Sequence, residues 1–158
     1  MSKNIDEMFE NYDKIKLAKK TADDEKADKE RVKREAAVVL MTSVVLPTLK
    51  QFIAQVKSKG HKAMLNERIE NYSYPHLEMD FTPVPKVEQT DSYVSASKLT
   101  FIHSEGGALK VRKEINPSSH SGYSHDSGGE YTVKPEQVTA EWVKNEVLIF
   151  IESVLNAN

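Results

Sequence analysis

Residues 98–115, KLTFIHSEGGALKVRKEI, hold two runs in which apolar and polar side chains alternate, joined by a Gly-Gly pair. Alternation on both sides of a glycine turn predicts a β-hairpin, and burial selects its register. A two-residue loop at Gly106-Gly107 would set Phe101 opposite Arg112 and Leu99 opposite Glu114, bringing charge onto the apolar face. A three-residue loop, Glu105 to Gly107, instead sets Phe101 opposite Val111 and His103 opposite Leu109. Lys98, Thr100, Ile102, Lys110, Arg112 and Glu114 then share the other face. A one-residue slip moves every side chain to the wrong face, so the second register is expected. Gly107 would take the left-handed position that closes such a turn.

Working outward, HLEMDFT (76–82) alternates strictly, with Leu77, Met79 and Phe81 on one face and His76, Glu78, Asp80 and Thr82 on the other. It reads as a half-buried strand. Residues 62–70 read as a strand before it, with NYSYP (71–75) turning the chain. PVPKVEQTDS (83–92) reads as a loop and EYTV (130–133) as a last short strand.

Helices flank this meander. Val38, Met41, Val45, Leu49, Phe52, Ile53 and Val56 keep to one face of a helix that Gly60 should stop. Pro47 removes a backbone hydrogen bond and is expected to kink that helix or divide it in two. At the other end, Trp142, Val143, Val147, Phe150, Ile151 and Val154 form the apolar face of a helix capped by Thr139. The expected fold class is α+β: a two-layer sandwich of a long N-terminal helix, a four- or five-stranded antiparallel meander, and a C-terminal helix on the same sheet face.

Residues 1–35 differ in kind. Fifteen of the 22 residues from Lys14 to Glu35 are charged, and residues 1–35 carry ten basic and ten acidic side chains. Ahead of that stretch Ile5, Met8, Phe9, Tyr12 and Ile15 recur at helical spacing. A single helix from 5 to 59 would run about 80 Å, beyond a domain of this size. The expected division is a charged helical arm at 1–35 and one α+β domain at 36–158. The apolar stripe at 5–15 is the candidate partner-binding surface, since an apolar stripe on an outlying helix must pack on its own domain, a second copy or a partner.

Composition narrows the function classes. There is no cysteine, which removes disulfides, thiolate metal sites and cysteine nucleophiles. The net charge of −2 exerts no general pull on nucleic acid or acidic membranes, and the bases of the arm are interleaved with acids. No apolar run reaches the roughly 20 residues of a membrane span, and the first 20 residues lack a signal-peptide core. A cytoplasmic protein without membrane or nucleic-acid partners is therefore expected.

Chemistry has few footholds. His76, Glu78 and Asp80 project from one strand face, about 6.5–7 Å apart in sequence order. With His120 and His125 of NPSSHSGYSHDSGGEY (116–131) they could form a nitrogen/oxygen site for Zn²⁺, Mn²⁺ or Fe²⁺. Alternatively Glu78 and Asp80 pair with Lys98, Lys110 and Arg112 on an ordinary solvated face. His103 reads as a satisfied semi-buried histidine and His61 as a surface group at a helix end. No G-x-S-x-G elbow accompanies the serines near His120 and His125, and neither Gly-Gly pair opens a helix where phosphate would bind. The expectation is a small, soluble, non-catalytic binding protein with an adaptor, chaperone-like or inhibitor role. It would use no cofactor and self-associate as a homodimer through Ile5, Met8, Phe9, Tyr12 and Ile15. The competing expectation is a metal-dependent enzyme built on His76, Glu78, Asp80, His120 and His125.

Overall fold

A computed structural model describes residues 4–70, 72–84, 96–116 and 126–157. In chain order it has α1 (Ile5–Leu40), a π turn (Met41–Val45), α2 (Leu46–Ser58), β1 (Lys62–Arg68) and β2 (His76–Thr82). Then come β3 (Ser97–His103), β4 (Leu109–Ile115), β5 (Asp126–Val133) and α3 (Ala140–Asn156). The strands form one antiparallel sheet in the order β1-β2-β3-β4-β5. This is the α+β arrangement expected from the pattern of elements.

The β3–β4 hairpin has the register that burial demands: Phe101 lies opposite Val111 and His103 opposite Leu109. Ser104 N–H donates to the Ala108 carbonyl at 2.9 Å, closing the three-residue loop. Both Gly106 (φ 87°) and Gly107 (φ 90°) occupy left-handed backbone, one more position than the turn pattern requires. At the open end of the hairpin, the buried Ser97 hydroxyl accepts from Asn116 N–H at 2.9 Å, and the Asn116 amide donates to the Ala96 carbonyl.

One sheet face carries Leu77, Met79, Phe81, Leu99, Phe101, Leu109 and Val111, all essentially inaccessible to water. α2 covers it with Leu49, Phe52, Ile53 and Val56, and α3 with Val143, Val147, Phe150 and Val154. Burial of side chains of this size contributes roughly 1.5–3 kcal/mol each. α3 begins as expected, with Thr139 accepting from Trp142 N–H. Phe81 meets Phe150 edge-on, and Phe101 meets Trp142 likewise, so aromatic contacts join sheet to helix at two points.

Pro47 does not divide the N-terminal helix. Residues Ile5–Ser58 form one helix of 54 residues, and the flanking Leu40, Val45 and Leu46 keep right-handed helical backbone. Immediately before Pro47, the Leu46 N–H reaches back five residues to the Met41 carbonyl and widens the helix into the π turn. The hydroxyls of Thr42, Ser43 and Thr48 bond to carbonyls one turn before them around this widened stretch. By length and composition this helix passes as a membrane span, with an 18-residue window of mean hydropathy 1.7, a third of it buried. Met41, Val45, Leu49, Phe52, Ile53 and Val56 spend its apolar face on the sheet.

β5 starts at Asp126, four residues before the expected EYTV strand. Between Arg112 opposite Glu130 and Glu114 opposite Ser127 it carries an extra residue. Gly129 (φ 98°) supplies the backbone that this bulge requires.

Candidate functional site

The arm is the first candidate. Every residue from Asn4 to Lys29 is exposed, and burial begins only at Glu30. Asn4 caps the helix by accepting from Glu7 N–H at 2.9 Å, with Asp6 and Glu7 favourably placed in the first turn. Arg31 bridges Asp28 (2.7 Å) and Glu35 (3.0 Å), and Lys33 lies 3.9 Å from Glu30. These are exposed pairs of small individual worth. Ile5, Met8, Phe9, Tyr12 and Ile15 are between 55 and 67% exposed, and none of the described residues of the body covers them. The arm meets the body where Lys33 packs over Gly107 of the hairpin turn and Ala37 becomes buried.

Beside the arm's root lies a cleft of about 550 Å³ between the helix and the chain leading into β2. Val38, Val39, Ile69, Tyr72 and Pro75 supply its apolar walls, and Arg34, Glu35 and Ser73 also line it. A second cleft, of about 520 Å³, opens between the end of α2 and α3, walled by Phe52, Val56, Phe81, Leu148 and Ile151. His61 lines this second cleft and is not the simple surface group its position suggested. Its Nδ1 accepts from Val84 N–H at 2.9 Å, which leaves the proton of the neutral ring on Nε2.

The polar sheet face is the second candidate. Strand periodicity places His76, Glu78 and Asp80 on it together, as expected. Asn66 on β1 was not foreseen: its amide donates to Glu78 Oε2 at 2.8 Å and to Asp80 Oδ2 at 3.2 Å. Thr100 Oγ1 reaches Glu78 Oε1 from the other side at 3.5 Å. Partial burial and the hydrogen-bonded Glu78 carboxylate push Asp80 up to about 6. Burial works against Glu78 as well, but bonds from Asp80 and Asn66, with Lys98 nearby, hold it below the usual carboxylate value. The two carboxyls thus share a proton in mildly acidic solution, Asp80 keeping it longer. Asp80 Oδ1 is buried and receives no hydrogen bond from the described residues.

Of the three lysine and arginine partners expected for these acids, Lys98 acts on them. Lys110 and Arg112 turn to Glu130 on β5 instead, at 3.1 and 3.0 Å, and lower its pKa. The His76 ring stacks edge-on against Tyr72 with Nδ1 3.2 Å from the Tyr74 carbonyl. Among the described residues, no three His, Asp or Glu side chains converge as a metal-ligand group. His120 and His125 lie outside the described residues, as does most of the 83–92 loop.

Two features of the core face also went unforeseen. Lys113 lies opposite Leu99 on the apolar side of the sheet and pairs with Glu146 of α3 at 3.0 Å, the side chains 13% and 12% exposed. The Tyr131 ring lies 5.9 Å from the ammonium. Burial, then the hydrogen bond to Glu146 and its charge, raise the Tyr131 phenol. His103 is buried rather than half-buried and is not satisfied, since its Nδ1 has no partner among the described residues. Burial lowers its pKa, with Glu30 opposing and Arg34 reinforcing the shift.

No family model, curated protein or solved structure matches this chain.

Proposed function

We propose that the protein works by binding, as a sheet domain that self-associates through a projecting helical arm. The observation that carries this is the stripe of Ile5, Met8, Phe9, Tyr12 and Ile15, uncovered by the described residues on the outer turns of a long helix. Five large apolar side chains in one row on a charged helix are a contact surface, because leaving them in water costs free energy that a partner would recover. An adaptor, chaperone-like or inhibitor role suits a domain that offers a long helical arm at one end and a polar sheet face beside it. The setting is cytoplasmic, without membrane or nucleic-acid partners. Light scattering on the full chain tests it. Twice the chain mass is expected at micromolar concentration, falling to the chain mass in Phe9→Ser/Ile15→Ser. A monomeric wild-type protein would overturn self-association.

A second function is favoured by one observation, the buried Asp80 Oδ1 without a donor among the described residues, beside Glu78. A divalent metal held by Glu78 and Asp80, completed by His120 and His125 from outside the described residues, would make the polar face a hydrolytic centre. Metal-dependent stabilisation of the folded chain tests it.

A further inference from the structure

We propose that two copies join tip to tip, their arms overlapping only over residues 4–16, so that the dimer is a rod with one sheet domain at each end. This rests on the self-association just proposed and adds its orientation and its extent.

At 3.6 residues per turn, each residue advances about 100° around a helix. Ile5, Met8, Tyr12 and Ile15 then lie within about 80° of arc, with Phe9 about 40° beyond them. Followed along the helix, that side continues through Lys19, Asp23 and Lys26 to Glu30, Lys33, Ala37 and Met41. At the root it is already occupied: Lys33 packs over Gly107, and Ala37 and Met41 are buried. The stripe thus looks out from the same side of the helix on which the chain's own body stands.

That placement decides between pairings. Packed helices lie about 8–10 Å apart, so in a parallel pair both bodies would stand on the contact side and collide. Lys19, Asp23 and Lys26 would also each face their own kind. A long antiparallel overlap would drive each tip into the other copy's body at Lys33 and Ala37. A short antiparallel overlap centred on Glu10 avoids both. It sets Ile5 level with Ile15 and Met8 level with Tyr12, all four on the contact side, and two-fold symmetry makes each contact twice. Phe9 lies beside Phe9 of the other copy on one flank. Asp6, Glu7, Glu10, Asp13 and Lys14 fall more than a quarter turn from the centre of the seam and stay in water. Lys16 sits at its edge, the ammonium 5.5 Å from the Tyr12 ring centre, on the flank shared with Asp6 of the other copy. Burial in that copy begins at its Glu30, about 21 Å past Asn4 and clear of the contact. Both polar sheet faces and both clefts lie outside the overlap, and the two Glu30 positions stand about 60 Å apart. The dimer is a spacer between two heads.

Small-angle X-ray scattering and spin labels on the full chain test this, and the absence of native cysteine lets a single introduced one carry each label. From Ser58 of one copy to Ser58 of the other the joined helices span about 145 Å, so a maximum dimension of at least roughly that length is expected. A parallel pair would stop near roughly 80–90 Å. Labels at Asn11→Cys should lie within roughly 20 Å of each other, and labels at Ala27→Cys roughly 50 Å apart. Short distances at both positions, in a particle of twice the chain mass, would overturn the tip-to-tip arrangement and leave self-association through the arm standing. Long distances at both in such a particle would place the contact away from the tips and overturn both readings. Chain-mass particles with no intermolecular distance would also remove both. Scattering uses the native sequence, so a label that disturbs the seam at residue 11 does not hide the answer.

Discussion

Replacing Glu146 by Leu leaves the Lys113 ammonium on the core face of the sheet, against Leu99 and the Tyr131 ring, with the carboxylate it pairs with gone. Both side chains are about seven-eighths buried, so solvent screens the loss little. Breaking a buried pair from one side costs about 3–5 kcal/mol. In a domain of this length that lowers Tm by roughly 6–20 °C. Lys113→Met with Glu146→Leu removes both charges and fills the space with apolar groups of similar volume. That double variant should lie within about 1 kcal/mol of the native chain, or above it. The assay is a double-mutant cycle in urea, followed by the fluorescence of Trp142. This is the only tryptophan. It packs on Phe101 one turn before Glu146 and so reports α3 leaving the sheet. Additive single effects, with an interaction energy below about 0.5 kcal/mol, would refute the reasoning. Lys113 and Glu146 would then be solvated, and α3 held by its apolar face alone.

Asp80 has its folded pKa raised to about 6 from an ordinary 3.8, so its charge opposes folding as pH rises between these values and fully above them. Asp80→Asn should match the native chain at pH 3.5 and exceed it at pH 7.5 by roughly 1 kcal/mol, the face being open enough for solvent to screen the rest. An Asp80→Asn advantage independent of pH, read from urea midpoints, would contradict this. His103 behaves in the opposite sense. Its lowered pKa contributes stability above about 6.5 that is lost as pH falls and the unfolded chain takes up the proton. His103→Leu should therefore lose less stability than the native chain between pH 7.5 and 5, and parallel urea profiles would count against it. EDTA, or Zn²⁺ or Mn²⁺ at about 100 μM, should leave Tm unchanged. A site with a dissociation constant near 1 μM would instead add about 2.7 kcal/mol, or 5–11 °C. Such a shift, abolished by Glu78→Gln, would put the metalloenzyme ahead.

The sheet was legible because period-two alternation leaves β2 and the β3–β4 hairpin one register that buries Leu77, Phe101 and Val111 together. That periodicity also brings His76, Glu78 and Asp80 to one face. What joins Glu78 to Asp80 is Asn66, and its role depends on how β1 pairs with β2, which Asn66's neighbours in sequence do not dictate. Lys113 follows from the hairpin register, yet nothing local identifies Glu146, 33 residues on, as its partner. A proline inside an apolar helical run signals disruption in general. Whether the helix kinks, breaks or widens depends on the packing of Met41 and Val45 at the ends of the π turn. The bulge at Gly129 was hidden for a similar reason, since a Gly-Gly pair before EYTV suits a loop end equally well.

The π turn at Met41–Val45 also has mechanical significance. Above it stands a helix of 36 residues, a beam of about 54 Å. Below it, Leu49, Phe52, Ile53 and Val56 clamp the same helix to the sheet. A tilt of about 10° at the widened turn would carry the tip roughly 9 Å sideways, and to do so it must shift Ala37 and Lys33 against the body. The arm is in this sense a lever with its fulcrum at the buried Met41 and Val45. Load applied at Ile5 would be felt first where the arm bears on Gly107 and the hairpin turn.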